Sequence, residues 1–247
     1  VQSLGGFACN TVREVIDRTL EGADGPRWLS PADLNTVLRA AEIEVAQAEL
    51  STVDEVREAA ARIGYPLVAK AITPGVVHKS DVGGVIMGLK SAAEVADAVR
   101  LLQERMNAIG VKLDGVLLQR EIGGEIEMMA GVTTDATFGP LLVAGLGGTM
   151  VELIKDVAFR LHPVTDIDAA EMIQSLRSSR LLDGYRGGSA GDRAAYAALL
   201  TRLSALVEIV PEITEVDLNP IRVLAPGKGA VVVDGRMRIR PSAPAWD

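Results

Sequence analysis

The chain has 247 residues, a formal net charge of -8 and a composition that is 48% hydrophobic but only 3% aromatic. That length allows one large domain or two lobes with a sizeable core of aliphatic residues and alanine, as in α/β proteins. The acidic balance and the scarcity of aromatics argue against a nucleic-acid or anionic-membrane surface, although an acidic protein can still bind ATP through local lysines and Mg²⁺.

The single cysteine, Cys9, rules out an internal disulfide framework and fits a reducing cytoplasm. No apolar run approaches the roughly 20 residues of a membrane helix, because Glu152, Lys155 and Asp156 interrupt the longest candidate, residues 140–154. The chain starts at Val1 without a signal-peptide pattern, so it is read as a piece of a longer protein.

In chain order, Val12, Val15, Ile16 and Leu20 fall on one helical face, closed by Gly22, Gly25 and Pro26. Ser30, Pro31 and Asp33 supply an N-cap, a first-turn proline and a carboxylate for a helix carrying Leu34, Val37, Leu38 and Ala41. Thr52 with Glu55 predicts the next start, through Val56, Ala59, Ala60 and Ile63 to a stop at Gly64 and Pro66. Leu67 to Lys70 follows as a strand, and Ser91 with Glu94 opens a helix through Val95, Val99, Leu102 and Met106. Val116 to Gln119 and Glu125 to Val132 read as strands. Asp166 is expected to cap a helix with Ile173 and Leu176, and Asp192 a longer one through Leu199, Leu203 and Leu206. Ile221 to Leu224 and Ala230 to Val233 read as a hairpin-like pair.

Two clusters carry chemistry. At the end of a buried strand, Lys70 would have its stem held by packing and its ammonium aimed at one place. The loop beyond carries His78, Lys79, Ser80 and Asp81, then Gly83 and Gly84, whose backbone N–H groups could turn onto phosphate oxygens. Near the C-terminus, Glu215, Asp217 and Asn219 alternate along a strand that Pro220 is expected to end. Asp234 follows the next strand, so Asp217, Asn219 and Asp234 could converge as hard oxygen ligands suited to Mg²⁺ bound with a nucleotide; solvated strand-end residues are the alternative. His162 is read as structural, and Arg160, Lys155 and Asp156 fit ion pairs as well as phosphate contacts. The Gly145 to Gly148 turn lacks the spacing of a dinucleotide fingerprint.

The pieces Gly64 to Lys70, His78 to Val85, Gly115 to Gln119, Gly131 to Asp135 with Phe138 to Pro140, Gly145 to Gly148 with Glu152, Lys155 and Asp156, Gly184 to Gly187, Asp217 to Pro220 and Val233-Asp234 stand in an order that resembles the ATP-grasp, or beta-type, portion of nucleoside-diphosphate-forming acyl-CoA synthetases, relatives of succinyl-CoA synthetase. The resemblance implies an α/β (α+β) ATP-grasp fold of two lobes, with the nucleotide between antiparallel sheets. It places a leader from a preceding domain at 1–29 and the domain at 30–240, with a small lobe at about 46–120, a large lobe at about 30–45 and 121–240, and a tail at 241–247.

Carried over by position, Lys70 and Lys79 meet phosphates, Gly83 and Gly84 cover them, and Gln119, Arg120, Glu121 and Ile122 form the hinge at the adenine, with Glu127 nearby. Asn219 and Asp234 match the Mg²⁺ ligands, with Asp217 beside them, and His78 matches a histidine that in some relatives accepts phosphate as a second relay, the alternative being that it only hydrogen-bonds the loop or a phosphate. The implied activity is acyl-CoA synthesis from an acid and CoA with ATP cleaved to ADP and phosphate, completed by a CoA-binding partner domain. The alternative is a nucleotide-sensing module attached, for example, to an acyltransferase. Residues Ala41 to Val45 depart from the family in lacking a glycine and prolines, which puts a local turn in doubt.

Overall fold

A computed structural model describes residues 6–73, 82–124, 126–148 and 154–241. The chain divides into two compact units, Val1–Val45 with Gly123–Asp247, and Ala46–Ile122.

The larger unit opens with α1 (Cys9–Leu20), β1 (Arg27–Trp28) and α2 (Pro31–Ala40). Ser30 Oγ accepts the Asp33 N–H as the N-cap of α2, which satisfies one of the donors that a helix start leaves unpaired. After Ala41 the backbone does without the absent glycine: Glu42 takes φ 53°, and the N–H groups of Ile43 and Glu42 return to Leu38 and Arg39. This is the hydrogen-bond pattern of a Schellman turn with a glutamate at the left-handed position. Val12, Val15 and Ile16 of α1, in the stretch read as a leader, lie in the core of this unit.

The unit continues with β6 (Ile126–Asp135), β7 (Gly139–Leu146), β8 (Val157–Leu161), α5 (Asp166–Ser175), α6 (Ser179–Leu182), α7 (Arg193–Ile209), β9 (Ile213–Val223), β10 (Ala230–Val232) and β11 (Gly235–Ile239). These strands form an antiparallel sheet in the order β1-β11-β9-β6-β7-β8, with β10 also on β9. Its inner face, including Met128, Ala130, Val132, Leu142, Val216, Leu218 and Ile221, is buried with α1, α2, α5 and α7 in one aliphatic core. Each fully buried leucine or isoleucine of this kind contributes about 2 kcal/mol.

The smaller unit is an antiparallel sheet of β2 (Ala48–Ser51), β5 (Gly115–Arg120), β3 (Leu67–Ile72) and β4 (Val85–Leu89), in that order, with α3 (Val56–Ile63) and α4 (Ala92–Ala108) packed on it. Its core is Leu67, Ala69, Ala71, Val116 and Leu118 against Ala59, Val95, Leu102 and Met106.

Several boundaries differ from the sequence reading. The cap of α3 is Glu55 rather than Thr52, whose hydroxyl donates to the Glu55 carboxylate instead. The cap of α5 is Thr165, in a reciprocal capping box with Asp168, and Asp166 is already the first helical residue. β3 runs two residues past Lys70 to Ile72. Pro220 does not end β9, which continues to Val223. Its missing N–H falls where the β6 register shifts between Met128 and Ala130, the kind of irregularity at which a sheet tolerates proline.

Candidate functional site

In the smaller unit, strand alternation divides β3 into two faces. Leu67, Ala69 and Ala71 meet the helices, which leaves Val68 and Lys70 on the opposite face. Lys70 sits opposite Leu117, and Val68 opposite Gln119, so Lys70 and Gln119 share that face. Both are buried, Lys70 to 9% exposure.

Gly83 and Gly84 lie beside this strand. The Ala71 N–H donates to the Gly84 carbonyl at 2.8 Å, and Arg105 donates to the Gly83 carbonyl at 2.8 Å. Gly83 has φ +66°, and a Cβ there would come within 3.2 Å of the Arg105 guanidinium. Residues of the 119–122 segment are tied to the same unit: Arg120 N–H donates to Gln47, Glu121 N–H donates to Pro66, and the Glu121 carboxylate accepts the Gly88 N–H at 2.9 Å. The expected phosphate-loop residues His78, Lys79, Ser80 and Asp81 lie outside the described residues.

In the larger unit, the polar cluster forms where β9 changes partner. β11 pairs with its first half, Ile213 to Leu218, and β10 with its second half, Ile221 to Val223. At the junction the Asn219 N–H donates to the Asp234 carbonyl and the Val233 N–H donates to the Pro220 carbonyl, both at 3.0 Å. Asn219 and Asp234 are therefore neighbours because neither strand can continue its regular ladder there. Asp217 lies opposite Arg236 in the register, with its carboxylate 3.4 Å from the guanidinium. Burial pushes the Asp217 carboxyl above its ordinary range, against the pull of Arg236, and the charges of Glu215 and Asp234 add to the rise.

A glycine pair that the sequence reading left out of the site lies against this cluster. Gly147 N–H donates to the Glu127 carbonyl, and Gly148 N–H donates to Asn219 Oδ1 at 2.8 Å. A Cβ on Gly147 would fall 2.3 Å from the Met128 carbonyl oxygen, and one on Gly148 1.8 Å from Glu127 Oε2. Only glycine lets the backbone pass so closely over β6. Glu127 is fixed by Arg222, its register partner on β9, at 2.8 Å, and Arg222 also donates to the Gly124 carbonyl at 2.6 Å. The Gly-Gly pair was the available signal, but what it packs against is far away in sequence.

Supports beneath the cluster also came only from the structure. The buried Tyr196 hydroxyl donates to the Met129 carbonyl at 2.5 Å and accepts the Gly145 N–H at 3.3 Å, pinning β6 and β7 from α7. Asp192 caps α7 as expected and accepts the Gly229 N–H of the β9–β10 turn as well; these N–H groups hold its carboxyl below the usual range. Asp156 accepts the backbone N–H groups of Arg177 and Ser178. Burial opposes its ionisation, yet hydrogen bonds from Ser178 and Arg177 outweigh it and lower its pKa. Arg160 pairs with Glu171, and the His162 ring lies 3.0 Å from the Ser204 carbonyl, in keeping with a structural histidine.

No group of three or more His, Cys, Asp or Glu side chains among the described residues is arranged to hold a metal ion. Asn219 and Asp234, joined through their backbones, carry oxygen donors of the kind a hard divalent cation takes, and Asn219 Oδ1 and Asp234 Oδ1 each already accept one backbone N–H, from Gly148 and Gly235. No helix among the described residues is long and apolar enough to cross a membrane.

A family model described as an ATP-grasp domain matches residues 22–239, which include both polar clusters. The chain belongs to this family. Among relatives of this ATP-grasp domain, acetate–CoA ligase (ADP-forming) I of Archaeoglobus fulgidus is 41% identical over 91% of the chain, which spans only 32% of that protein's length. Acetate–CoA ligase (ADP-forming) II subunit beta of Pyrococcus furiosus is 35% identical, over 95% of this chain and 99% of the subunit. The solved acetyl-coenzyme A synthetase 1 of Ca. Korarchaeum cryptofilum, in complex with coenzyme A and Mg-AMPPCP, matches with a TM-score of 0.79 at 33% identity, covering 93% of this chain and 100% of that one. The mixed helix and antiparallel-sheet architecture is thus that of an ATP-grasp domain.

Proposed function

We propose that this chain is the nucleotide-binding, phosphoryl-transferring part of an ADP-forming acid–CoA ligase. The observation that carries the reading is the Asn219–Asp234 pair, built at the β9 junction of a domain that matches a ligase beta subunit nearly end to end. Its nucleotide is ATP or ADP with Mg²⁺, and its partner is a CoA-binding, alpha-type domain in the same longer chain or another subunit. Its place of action is the cytoplasm. The ATP-grasp domain extends to about residue 240 with lobes divided near residues 45 and 121, and α1 and β1 pack as part of the larger lobe rather than as a separate leader.

In this reading Lys70, with its stem packed in β3, sets a fixed positive charge against the nucleotide phosphates, and the backbone of Gly83 and Gly84 lies over them. Gln119 to Ile122 meet the adenine, and Glu127, braced by Arg222, orients the nucleotide. Asn219 and Asp234 hold Mg²⁺, with Asp217 supporting them; the ion supplies charge neutralisation on the phosphate oxygens. Lys79 adds a phosphate contact. His78 accepts the γ-phosphoryl group: its neutral ring nitrogen bonds to phosphorus as the bond to the ADP oxygen breaks. The protein contributes mainly positioning and electrostatics.

The test is ADP formation from ATP by this chain combined with its CoA-binding partner, with acetate and CoA as probe substrates. Acid- and CoA-dependent ADP formation that Lys70→Ala abolishes is expected. Turnover unaffected by Lys70→Ala would overturn the reading.

A further inference from the structure

The outer face of the larger sheet carries a second, differently built polar site. One rung crosses the strands as Trp28, Arg238, Glu215 and Thr133 in β1, β11, β9 and β6. Arg238, Glu215 and Thr133, with Thr134, Ala136, Thr214 and Arg240, line a groove of about 520 Å³, and Arg238 links it to the Trp28 ring. The Arg238 guanidinium lies 5.8 Å from the Trp28 ring centroid and that of Arg236 5.2 Å from it, so the indole steadies both cations. Glu215 lies 3.7 Å from Arg236. Among the described residues, neither Arg238 nor Arg240 is in an ion pair. Arg240 is six positions beyond Asp234, about 20 Å of extended chain, so the groove stands at the other end of β11 from the Asn219–Asp234 pair.

The hydroxyls of Thr134 and Thr214 already donate to the carbonyls of Thr214 and Arg238, so the main donors left to a ligand are the two guanidinium groups, which suit a tetrahedral oxyanion. The carboxylate of Glu215 adds a condition, because it only accepts hydrogen bonds and repels an anion that has no proton to offer. We propose that this groove is a phosphate site that selects the protonated oxyanion: Arg238 and Arg240 bind the charged oxygens while Glu215 accepts the P–O–H proton. The ligand class is hydrogenphosphate or a singly protonated phosphate ester. This goes beyond the function proposed above, which gives no role to this end of the sheet.

The test uses the intrinsic fluorescence of Trp28 in a Trp246→Phe background, with calorimetry in parallel, titrating orthophosphate and sulfate at matched ionic strength near neutral pH. Orthophosphate should give a saturable signal, and sulfate, which has no proton to donate, should bind at least about tenfold more weakly, the order of one charged hydrogen bond. Arg240→Ala should weaken phosphate about tenfold, and Glu215→Gln, whose amide can donate, should bring sulfate close to phosphate. Methyl phosphate separates the two sources: tighter binding than orthophosphate assigns the groove to an ester, weaker binding to free phosphate. Equal responses to phosphate and sulfate, or no phosphate signal by either method, would overturn the proposal. So would a phosphate signal that Lys70→Ala removes and Arg240→Ala leaves intact, since the anion would then sit at the proposed nucleotide contact.

Discussion

Replacing Gly148 with alanine sets a methyl group against a carboxylate that is held from behind. The backbone at Gly148 has φ +75°, and a Cβ would fall 1.8 Å from Glu127 Oε2. Glu127 cannot swing aside without loosening its 2.8 Å pair with Arg222, which also donates to Gly124. Alanine in the left-handed region costs about 1 kcal/mol, and loosening this partly buried ion pair costs about 1 kcal/mol. The other relief is to lift the Gly147–Gly148 backbone and break the bond from Gly148 N–H to Asn219 Oδ1, also worth about 1 kcal/mol. Binding Mg-ATP requires the native Asn219 arrangement to be restored, which draws up to about 2 kcal/mol from binding, equivalent to roughly 30-fold in affinity. Titration calorimetry should therefore show Mg-ATP binding weakened by about 10- to 30-fold. Gly147→Ala should be worse, because its obstacle is the Met128 carbonyl in the strand backbone rather than a side chain. Wild-type Mg-ATP affinity in Gly148→Ala would refute the reasoning that the glycine pair shapes the site.

Other outcomes follow from the same contacts. Tyr196→Phe leaves the Met129 carbonyl and the Gly145 N–H without the hydroxyl, so denaturant unfolding should show a loss of about 1–3 kcal/mol; a loss below about 0.5 kcal/mol would argue against the pin. Burial raises the Asp217 carboxyl pKa in the folded state, so the fold holds that proton more tightly than the unfolded chain. This contribution is fully present below the ordinary carboxylate pKa and is lost as pH rises through the elevated folded value. Relative to Asp217→Asn, the wild type should therefore lose stability as pH rises across that window, and parallel pH profiles of unfolding free energy would contradict the shift. Asp192→Ala removes both the α7 cap and the Gly229 contact. It should cost about 1–2 kcal/mol, whereas an unchanged melting curve would deny it either role.

The elements that sequence reading placed well were those whose signals are local. Ser30, Ser91 and Asp192 cap helices because a side chain three residues from an orphan N–H can reach it whatever the rest of the chain does. Asp166 misled because adjacent Thr165 held the cap, and Thr52 because its hydroxyl bonds the Glu55 carboxylate while α3 starts after Glu55 with no side-chain cap. Pro220 misled because its lost donor falls at an irregularity in β6, a partner more than eighty positions away. For the candidate site, the alternation of Asp217 and Asn219 and the position of Asp234 were readable, but the backbone bond that joins Asn219 to Asp234 depends on where β10 and β11 divide. Glu127 was legible as a polar strand residue; its brace by Arg222 and the passage of Gly148 above it were not, since both are long-range packing facts. The Trp28 stack with Arg236 and Arg238 was equally out of reach, because it joins the start of the domain to its last strand.

The proposal that rests most on named residues is that Lys70 contacts nucleotide phosphates and that Asn219 and Asp234 hold Mg²⁺. Its most direct test is calorimetric titration with ATP and ADP, with and without Mg²⁺, of the wild type, Lys70→Ala and Asp234→Asn. The account predicts Mg²⁺-tightened binding that falls at least about tenfold in Lys70→Ala and loses its Mg²⁺ dependence in Asp234→Asn. Wild-type affinity in the lysine variant, together with an unchanged Mg²⁺ titration in the aspartate variant, would contradict it.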